Sequence, residues 1–234
     1  MKKKFLAISA HPDDLEFTCA GTTAKLVKEG NEVNYLIISD GSKGGHKVKL
    51  SSKKLAKIRQ TEQKRAANVL GVKNVFFLGL KDGEIENTQS LRKKIVQIIR
   101  KVKPEIILSF DPANSSFDNP YRLHRDHRQT AEAVFDSIYP AAGSASFFPE
   151  LLKQGYSPHQ IKEIWFFAAE KPNKFINISK TLDKKIEALF QHSSQIADLK
   201  GVEKRVKTWA KSAGKKKKYQ YAEVFRVLKF RRGS

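Results

Sequence analysis

Short hydrophobic runs alternate with longer amphipathic stretches in the first half of the chain. The runs are nearly continuous, as is typical of strands buried on both faces, and they cover residues 5–9, 32–39, 75–78 and 105–110. Between them, apolar residues recur at helical spacing over residues 15–29, 51–70 and 90–102. This repeated alternation predicts an α/β fold, with a Rossmann-like, mostly parallel sheet and helices on both of its faces.

The alternation breaks down after residue 138. Proline, glycine and serine interrupt residues 139–160, which we interpret as an irregular insertion. Beyond it the pattern predicts strands over 164–168, 175–178 and 222–230, and helices over 181–190 and 201–211. We therefore expect one domain over residues 1–234, built on βα units in 1–138, with the extra C-terminal strands and helices capping one edge of the sheet.

The composition adds a strong positive charge, because 45 basic residues face 24 acidic ones and the formal net charge is +21. Such a field favours polyanions, either nucleic acid or an anionic membrane surface. The lysines are spread over the predicted helices, however, where they could equally be solvated. The single cysteine, Cys19, cannot form an internal disulfide, and the apolar stretch after the basic start is too short for a signal peptide. We expect a cytoplasmic protein.

Polar residues gather where two of the predicted strands end. Residues 10–14 read Ala-His-Pro-Asp-Asp after the first strand, and residues 123–127 read Leu-His-Arg-Asp-His after the fourth. Because α/β folds bind ligands at the carboxyl ends of their strands, we expect the two motifs to share a site. A catalytic zinc site takes three His or carboxylate ligands and leaves one position for water. Such a set is complete with His11, Asp14 and one later histidine, and it leaves Asp13 free to accept a proton. The alternative is that the first motif is only the polar N-cap of a helix.

Taken together, the two motifs resemble those of the LmbE/PIG-L family of zinc-dependent N-deacetylases. Weaker family-like segments follow at 39–45, 59–72, 77–83, 185–195 and 222–226. The resemblance spans about residues 5–230, which is nearly the whole chain. One departure is Arg125, which stands where the family often has proline.

The resemblance implies a role for each polar residue of the motifs. It implies that Zn2+ is bound by three side chains, those of His11, Asp14 and His127. Asp13 would act as the general base, His124 would stabilise the oxyanion or protonate the leaving amine, and Asp126 would orient a histidine. Arg59 and Asp82 would face the sugar pocket.

The implied substrate is an N-acetylglucosamine-type amino sugar or glycoconjugate, from which acetate is released. Two alternatives stay open: a zinc amidase for another amide, such as a thiol-sugar conjugate, and a basic polyanion-binding protein without catalysis. Family members often form trimers or hexamers, so the resemblance also implies a homo-oligomer. Residues 139–160 match nothing in the family pattern, and we expect them to shape substrate choice.

Several of the polar residues have an ordinary structural interpretation as well. Arg59 could pair with Glu62 on the surface of its own helix. We interpret His192 as a core histidine. His46 belongs to the glycine-rich segment 40–46, a predicted loop at the same sheet edge as His11, and we interpret it as a loop residue rather than a ligand.

Overall fold

The computed structural model describes residues 2–45 and 50–230 of the chain, so His46 lies outside the described residues. The strands are β1 (Lys4–Ser9), β2 (Glu32–Ser39), β3 (Asn74–Leu80), β4 (Ile106–Phe110), β5 (Glu163–Phe167), β6 (Lys174–Asn177) and β7 (Ala222–Lys229). The helices are α1 (Asp14–Thr18), α2 (Ala20–Lys28), α3 (Ser52–Leu70), α4 (Gln89–Val102), α5 (Arg125–Asp136), α6 (Pro149–Lys153), α7 (Leu182–Leu189) and α8 (Leu199–Gly214). The predicted α/β class is confirmed.

Within these two ranges the strands form a seven-stranded sheet in the order β3-β2-β1-β4-β5-β7-β6. The first five strands in that order run parallel, and β7 pairs antiparallel with both β5 and β6. The chain proceeds from β1 to β2 and β3 on one side, and later returns to β4 on the other side of β1. This reversal is a topological switch point, where α/β proteins bind ligands. The loops after β1 and β4 meet there.

Both faces of the central strands are covered by helices, which explains why these strands are apolar runs rather than alternating patterns. Leu6, Ile8, Leu36 and Ile107 are all 0% exposed and belong to one continuous hydrophobic core. Residues of α2, α3, α4 and α5 contribute to the same core. The sheet is therefore a rigid support for the loops at its carboxyl edge.

The prediction of one continuous helix over 15–29 is wrong, because the helix is broken at Cys19. Cys19 has a φ of −138°, and α2 begins at the next residue. The backbone N–H groups of Gly21 and Thr22 donate to the carboxylate of Glu223 on β7, at 3.0 and 2.6 Å. Lys185 Nζ lies 2.6 Å from the same carboxylate. A distant residue thus caps α2, and no local sequence pattern signals it.

The insertion after α5 is anchored by Arg100 on α4. This side chain is 1% exposed. Its guanidinium donates to four backbone carbonyls, those of Ala141, Ala142, Ser144 and Phe147. The backbone of the insertion is therefore fixed against the body of the domain, and the expectation that residues 139–160 shape substrate choice stays a prediction.

The longest departure from the predicted boundaries is at α8, which covers Leu199–Gly214 rather than 201–211. The side chain of Asp198 accepts a hydrogen bond from the N–H of Gly201 at 2.9 Å and so caps the first turn. Among the residues described, no helix combines the length and apolar character needed to cross a membrane.

Candidate metal centre and active site

The loop that follows β1 turns sharply into α1 and separates two adjacent carboxylates. Asp13 has φ 96° and ψ −24°, a left-handed conformation that is uncommon for a residue with a side chain. The N–H of His11 donates to Asp14 Oδ2 at 2.7 Å and closes the turn. As a result, Asp14 contacts two histidines, whereas Asp13 contacts Arg59.

Asp14 lies between two imidazole rings that come from the two motifs. Its Oδ2 is 3.5 Å from His11 Nδ1, and its Oδ1 is 3.2 Å from His127 Nε2. His127 lies in the first turn of α5, after β4, so the topological switch point brings together residues far apart in sequence. The ring of His127 also stacks on Phe110, the last residue of β4, with centroids 4.1 Å apart.

The second nitrogen of each ring faces an acceptor. His11 Nε2 lies 3.2 Å from Asp126 Oδ2, and His127 Nδ1 lies 2.6 Å from the carbonyl oxygen of Tyr121. When these nitrogens carry the protons, the lone pairs of the neutral rings are left at His11 Nδ1 and His127 Nε2, on either side of the carboxylate between them. Metal-binding histidines are held in this way by an acceptor behind the ring.

The centre of this cluster favours positive charge. Burial alone would lower the pKa of His11, but hydrogen bonds to three carboxylates raise it to about 12: those of Asp126, Asp14 and Asp82. Burial alone would raise the pKa of Asp14, but the charge on His127 and the hydrogen bond with His11 bring it well below its ordinary value. Neutral imidazole and carboxylate are usual zinc ligands, so the donor set fits a divalent cation at this point.

Two further sets of donor atoms lie close enough to share an ion. Over residues 2–45 and 50–230, ligand atoms of His11, His124 and His127 lie within 4.8 Å of one another, and so do those of His11, Asp82 and Asp126. The protein therefore has a buried His/Asp group that could bind a metal. The particular set inferred from the sequence, His11 with Asp14 and His127, stays a prediction.

Asp13 lies apart from the histidines, beside the guanidinium of Arg59. Arg59 Nη2 is 3.3 Å from Asp13 Oδ2 and donates to the carbonyl of Pro12 at 2.5 Å, while Nη1 donates to the carbonyl of Gly41 at 2.8 Å. Burial raises the pKa of Asp13, although the charge of Arg59 opposes that rise. The raised pKa makes Asp13 a stronger base than a free aspartate, as the role of a general base requires.

Asp82 and Arg59, the two predicted sugar contacts, are both largely buried, at 6% and 3% exposure. Asp82 Oδ1 lies 3.1 Å from His11 Nε2, and its Oδ2 accepts from the N–H of Lys43 at 3.0 Å. Burial alone would raise the pKa of Asp82, but its contact with His11 lowers it to about 2. A Cβ at Gly44 would collide with the guanidinium of Arg59, so the glycine-rich loop closes over that side chain. Asp82 therefore lies beside His11 and Arg59 beside Asp13, and their contact with a sugar stays a prediction.

His124 is the N-cap of α5 and differs from the other two histidines in its bonding. Its Nδ1 accepts a hydrogen bond from the N–H of Asp126 at 3.2 Å, which leaves Nε2 to carry the proton of the neutral ring. Burial lowers the pKa of His124, and the charges of His127 and His11 lower it further. The favoured form is therefore neutral, with one N–H to donate. The ring centroids of His124 and His11 are 5.0 Å apart.

Arg125, the departure from the family pattern, ties α5 to the turn at residues 83–85. Its Nη1 donates to the carbonyl of Ile85 at 2.7 Å and to that of Gly83 at 3.2 Å. Asp126, which is 0% exposed, accepts from the N–H of Gly83 at 2.7 Å. The helix start and the turn are thus bound together from two sides, and this fixes the carboxylate that faces His11.

Three buried polar residues next to the site were not expected to belong to it. The N–H of Asp13 donates to Gln63 Oε1 at 3.0 Å, and Gln63 Nε2 donates to Glu16 Oε1 at 3.0 Å. Glu16 Oε2 lies 3.1 Å from His192 Nε2. His192 is buried, as the core interpretation expects, but its partner is a carboxylate rather than a backbone group. The sequence contains one indication that Gln63 lies near the site: it is four residues from Arg59 on α3, so the two side chains share one helix face.

Comparison with known proteins agrees with this geometry. The family PIG-L, described as GlcNAc-PI de-N-acetylase, matches residues 6–138. The chain is 37% identical over 228 residues to the diacetylchitobiose deacetylase of Thermococcus kodakarensis, and the alignment covers 97% of this chain and 83% of that protein. It is 28% identical over 201 residues to a Bacillus anthracis protein named "Probable N-acetyl-alpha-D-glucosaminyl L-malate deacetylase 2", covering 84% of this chain and 83% of the relative.

A solved structure shares the whole fold. The N,N'-diacetylchitobiose deacetylase from Pyrococcus horikoshii, complexed with its inhibitor MPG, aligns with a TM-score of 0.90 and 32% identity, covering 97% of this chain and 84% of that one. The family match covers more than half of the 234 residues and contains both polar motifs of the site. The chain belongs to the PIG-L family of GlcNAc-PI de-N-acetylases.

Proposed function

We propose that this protein is a zinc-dependent hydrolase that removes the N-acetyl group from an N-acetylglucosamine-type amino sugar or glycoconjugate and releases acetate. One observation carries the proposal: His11 Nδ1 and His127 Nε2 lie 3.5 and 3.2 Å from the two oxygens of Asp14, while an acceptor holds the other nitrogen of each ring. The deacetylase relatives support the substrate class.

His11, Asp14 and His127 would hold the ion. When bound there, zinc supplies Lewis acidity that polarises an amide carbonyl and makes water a nucleophile near neutral pH. The carboxylates of Asp126 and Asp82 keep His11 oriented from behind, because each accepts from Nε2.

Asp13 takes a proton from the attacking water as the water oxygen bonds to the carbonyl carbon of the acetamide. The raised pKa of the Asp13 carboxyl suits this task, and a positioned general base typically contributes about 10²- to 10⁴-fold in rate. His124 donates its Nε2–H to the oxyanion that develops on the carbonyl oxygen, where such stabilisation is a large part of catalysis. The carbon–nitrogen bond then breaks as the amine takes up the proton that Asp13 removed from the water, which restores the Asp13 carboxylate, and acetate and the free amino sugar are the products.

An acetate-release screen tests the proposal. Purified protein loaded with zinc is incubated with N-acetylglucosamine, N,N'-diacetylchitobiose, and N-acetylglucosaminyl conjugates of malate and of inositol. We expect release from at least one substrate, loss of release after chelation, and recovery on adding zinc back. His11→Ala should bind little zinc and stay inactive. Protein that binds no zinc but binds RNA with a steep salt dependence would favour the polyanion-binding alternative instead.

A further inference from the structure

The backbone at Asp13 is held in a conformation that it would not adopt freely. Left-handed backbone at a residue with a side chain is strained and persists only where its surroundings hold it. The φ angle of Asp13 is 96°, and the next residue is the first helical residue of α1. The groups that hold this turn therefore decide where the carboxylate of Asp13 points.

Two residues of α3 hold the turn. Arg59 donates to the carbonyl of Pro12 and pairs with the Asp13 carboxylate. Gln63 is one helical turn further on, and its Oε1 accepts from the N–H of Asp13 at 3.0 Å. The peptide group that joins Pro12 to Asp13 is thus bound at its carbonyl and at its N–H by one face of a single helix.

The amide of Gln63 can do this only in one orientation, because its nitrogen must then face an acceptor. Glu16 supplies that acceptor, since its Oε1 takes the Nε2–H of Gln63 at 3.0 Å. The other oxygen of Glu16 is occupied by His192 Nε2 at 3.1 Å. Gln63, Glu16 and His192 are each 0% exposed, so water does not compete for any of these bonds.

We infer that Gln63, oriented by the buried Glu16–His192 pair, is a positioning residue that aims the carboxylate of Asp13 at the attacking water. The inference rests on the proposed function, because it assumes that Asp13 is the general base. Gln63 touches neither substrate nor ion in this role. It acts through the backbone of Asp13, and small displacements of a catalytic group are costly, about 10²-fold for 1 Å.

The neighbouring residue Glu62 provides a matched control. Glu62 is also buried on α3, and it also joins this helix to the segment after α7, through Ser193 and Ser194. Its described bonds run to those serines and not to Asp13. A purely structural effect of loosening α3 should therefore appear in Glu62→Gln as well as in Gln63→Met.

The test compares kcat, KM, zinc content and melting temperature of the zinc-loaded variants. We expect Gln63→Met to lower kcat by about 10- to 100-fold, with KM within about twofold and one zinc retained, and Glu62→Gln to keep kcat within about twofold. Combined with Asp13→Asn, Gln63→Met should cost less than about twofold more, because it acts through the missing base. If Gln63→Met does not fold, Gln63→Asn takes its place, since it retains a buried amide but is too short to reach both partners.

The outcomes separate the two hypotheses. An active wild-type enzyme in which the Gln63 variants match Glu62→Gln, or add fully to Asp13→Asn, overturns the positioning role alone. A wild-type protein that releases no acetate, or an Asp13→Asn variant with full turnover, overturns the proposed function and the positioning role with it.

Discussion

Asp126 and His11 are joined by a contact of 3.2 Å between Oδ2 and Nε2, although 115 residues separate them in the chain. The same carboxylate oxygen accepts from the N–H of Gly83, and Asp126 is fully buried. A proton on Nε2 suits this contact and would leave Nδ1 as the free nitrogen when the ring is neutral. Among the three histidines of the site, the one after β1 is therefore the histidine that the carboxylate of Asp126 faces.

Asp126→Asn should weaken zinc binding by about 10- to 100-fold, the usual effect of losing a carboxylate behind a ligating histidine. The amide lacks the charge that makes His11 a good donor, and its NH2 group must face either the N–H of Gly83 or the guanidinium of Arg125. Competition with a chelating dye measures the affinity. The control is Asp111→Asn: Asp111 is another buried carboxylate that follows β4, and it pairs with the partly exposed Arg226 rather than with a histidine. Equal zinc affinity in Asp126→Asn and wild-type protein would contradict the assignment.

Asp13→Asn should retain zinc but lose about 10²- to 10⁴-fold in kcat, because the amide cannot accept the proton of the attacking water. The carboxylate of Asp13 pairs with Arg59 and not with the histidines, so the ion should be bound as before. Acetate release and zinc content are measured on the same sample. Full turnover in this variant would remove Asp13 from the mechanism.

The sequence predicts the elements that depend on local signals. The helix predicted over 51–70 is observed as α3, because the side chain of Ser51 caps its start and Gly71, with φ 74°, ends it in the left-handed conformation. The strand predicted over 32–39 is observed unchanged as β2, since a buried apolar run has few alternatives. Local chemistry is enough for both.

The sequence does not predict features whose cause lies elsewhere in the chain. The break at Cys19 depends on Glu223, which is 202 residues from Gly21, and the spacing of a motif cannot show which histidine Asp126 will face. Arg59 illustrates the same limit: its helix position allows a bond to Glu62, but its guanidinium instead contacts Asp13 and the carbonyls of Pro12 and Gly41, and its contact with a sugar stays a prediction. The expected cytoplasmic location, oligomer and anionic surface stay predictions.

His192 should make the stability of the protein depend on pH. Burial alone would lower its pKa, but the hydrogen bond and charge of Glu16, with the charges of Asp13 and Glu62, raise it above the ordinary value. A raised folded-state pKa adds stability that is fully present below the unfolded value of about 6.5 and is lost as pH rises through the folded value. The free energy of unfolding of wild-type protein should therefore exceed that of His192→Gln by more at pH 6 than at pH 9, in urea titrations.

His159 is the matched control for that titration, since the sign of its effect is reversed. Burial lowers the pKa of His159, although its ring lies 2.6 Å from the carbonyl of Pro104. A lowered folded-state pKa adds stability that is present above the unfolded value and is lost as pH falls. His159→Gln should therefore differ most from wild type at high pH. Parallel pH trends in the two variants would show that neither trend comes from the substituted histidine.

Glu223→Gln should destabilise the protein by about 3–5 kcal/mol, the usual cost of breaking a buried ion pair by removing one charge. The side chains of Lys185 and Glu223 are 4% and 5% exposed and 2.6 Å apart, so the substitution leaves the lysine charge buried without its partner. It also weakens the cap of α2, because the carboxylate accepts two of the first N–H groups of that helix. The matched control is Glu187→Gln, which breaks an exposed pair with Lys184 and should change stability far less, because solvent screens that pair. Chemical unfolding of both variants measures the difference, and equal losses would contradict a buried charge pair at the junction of α2, α7 and β7.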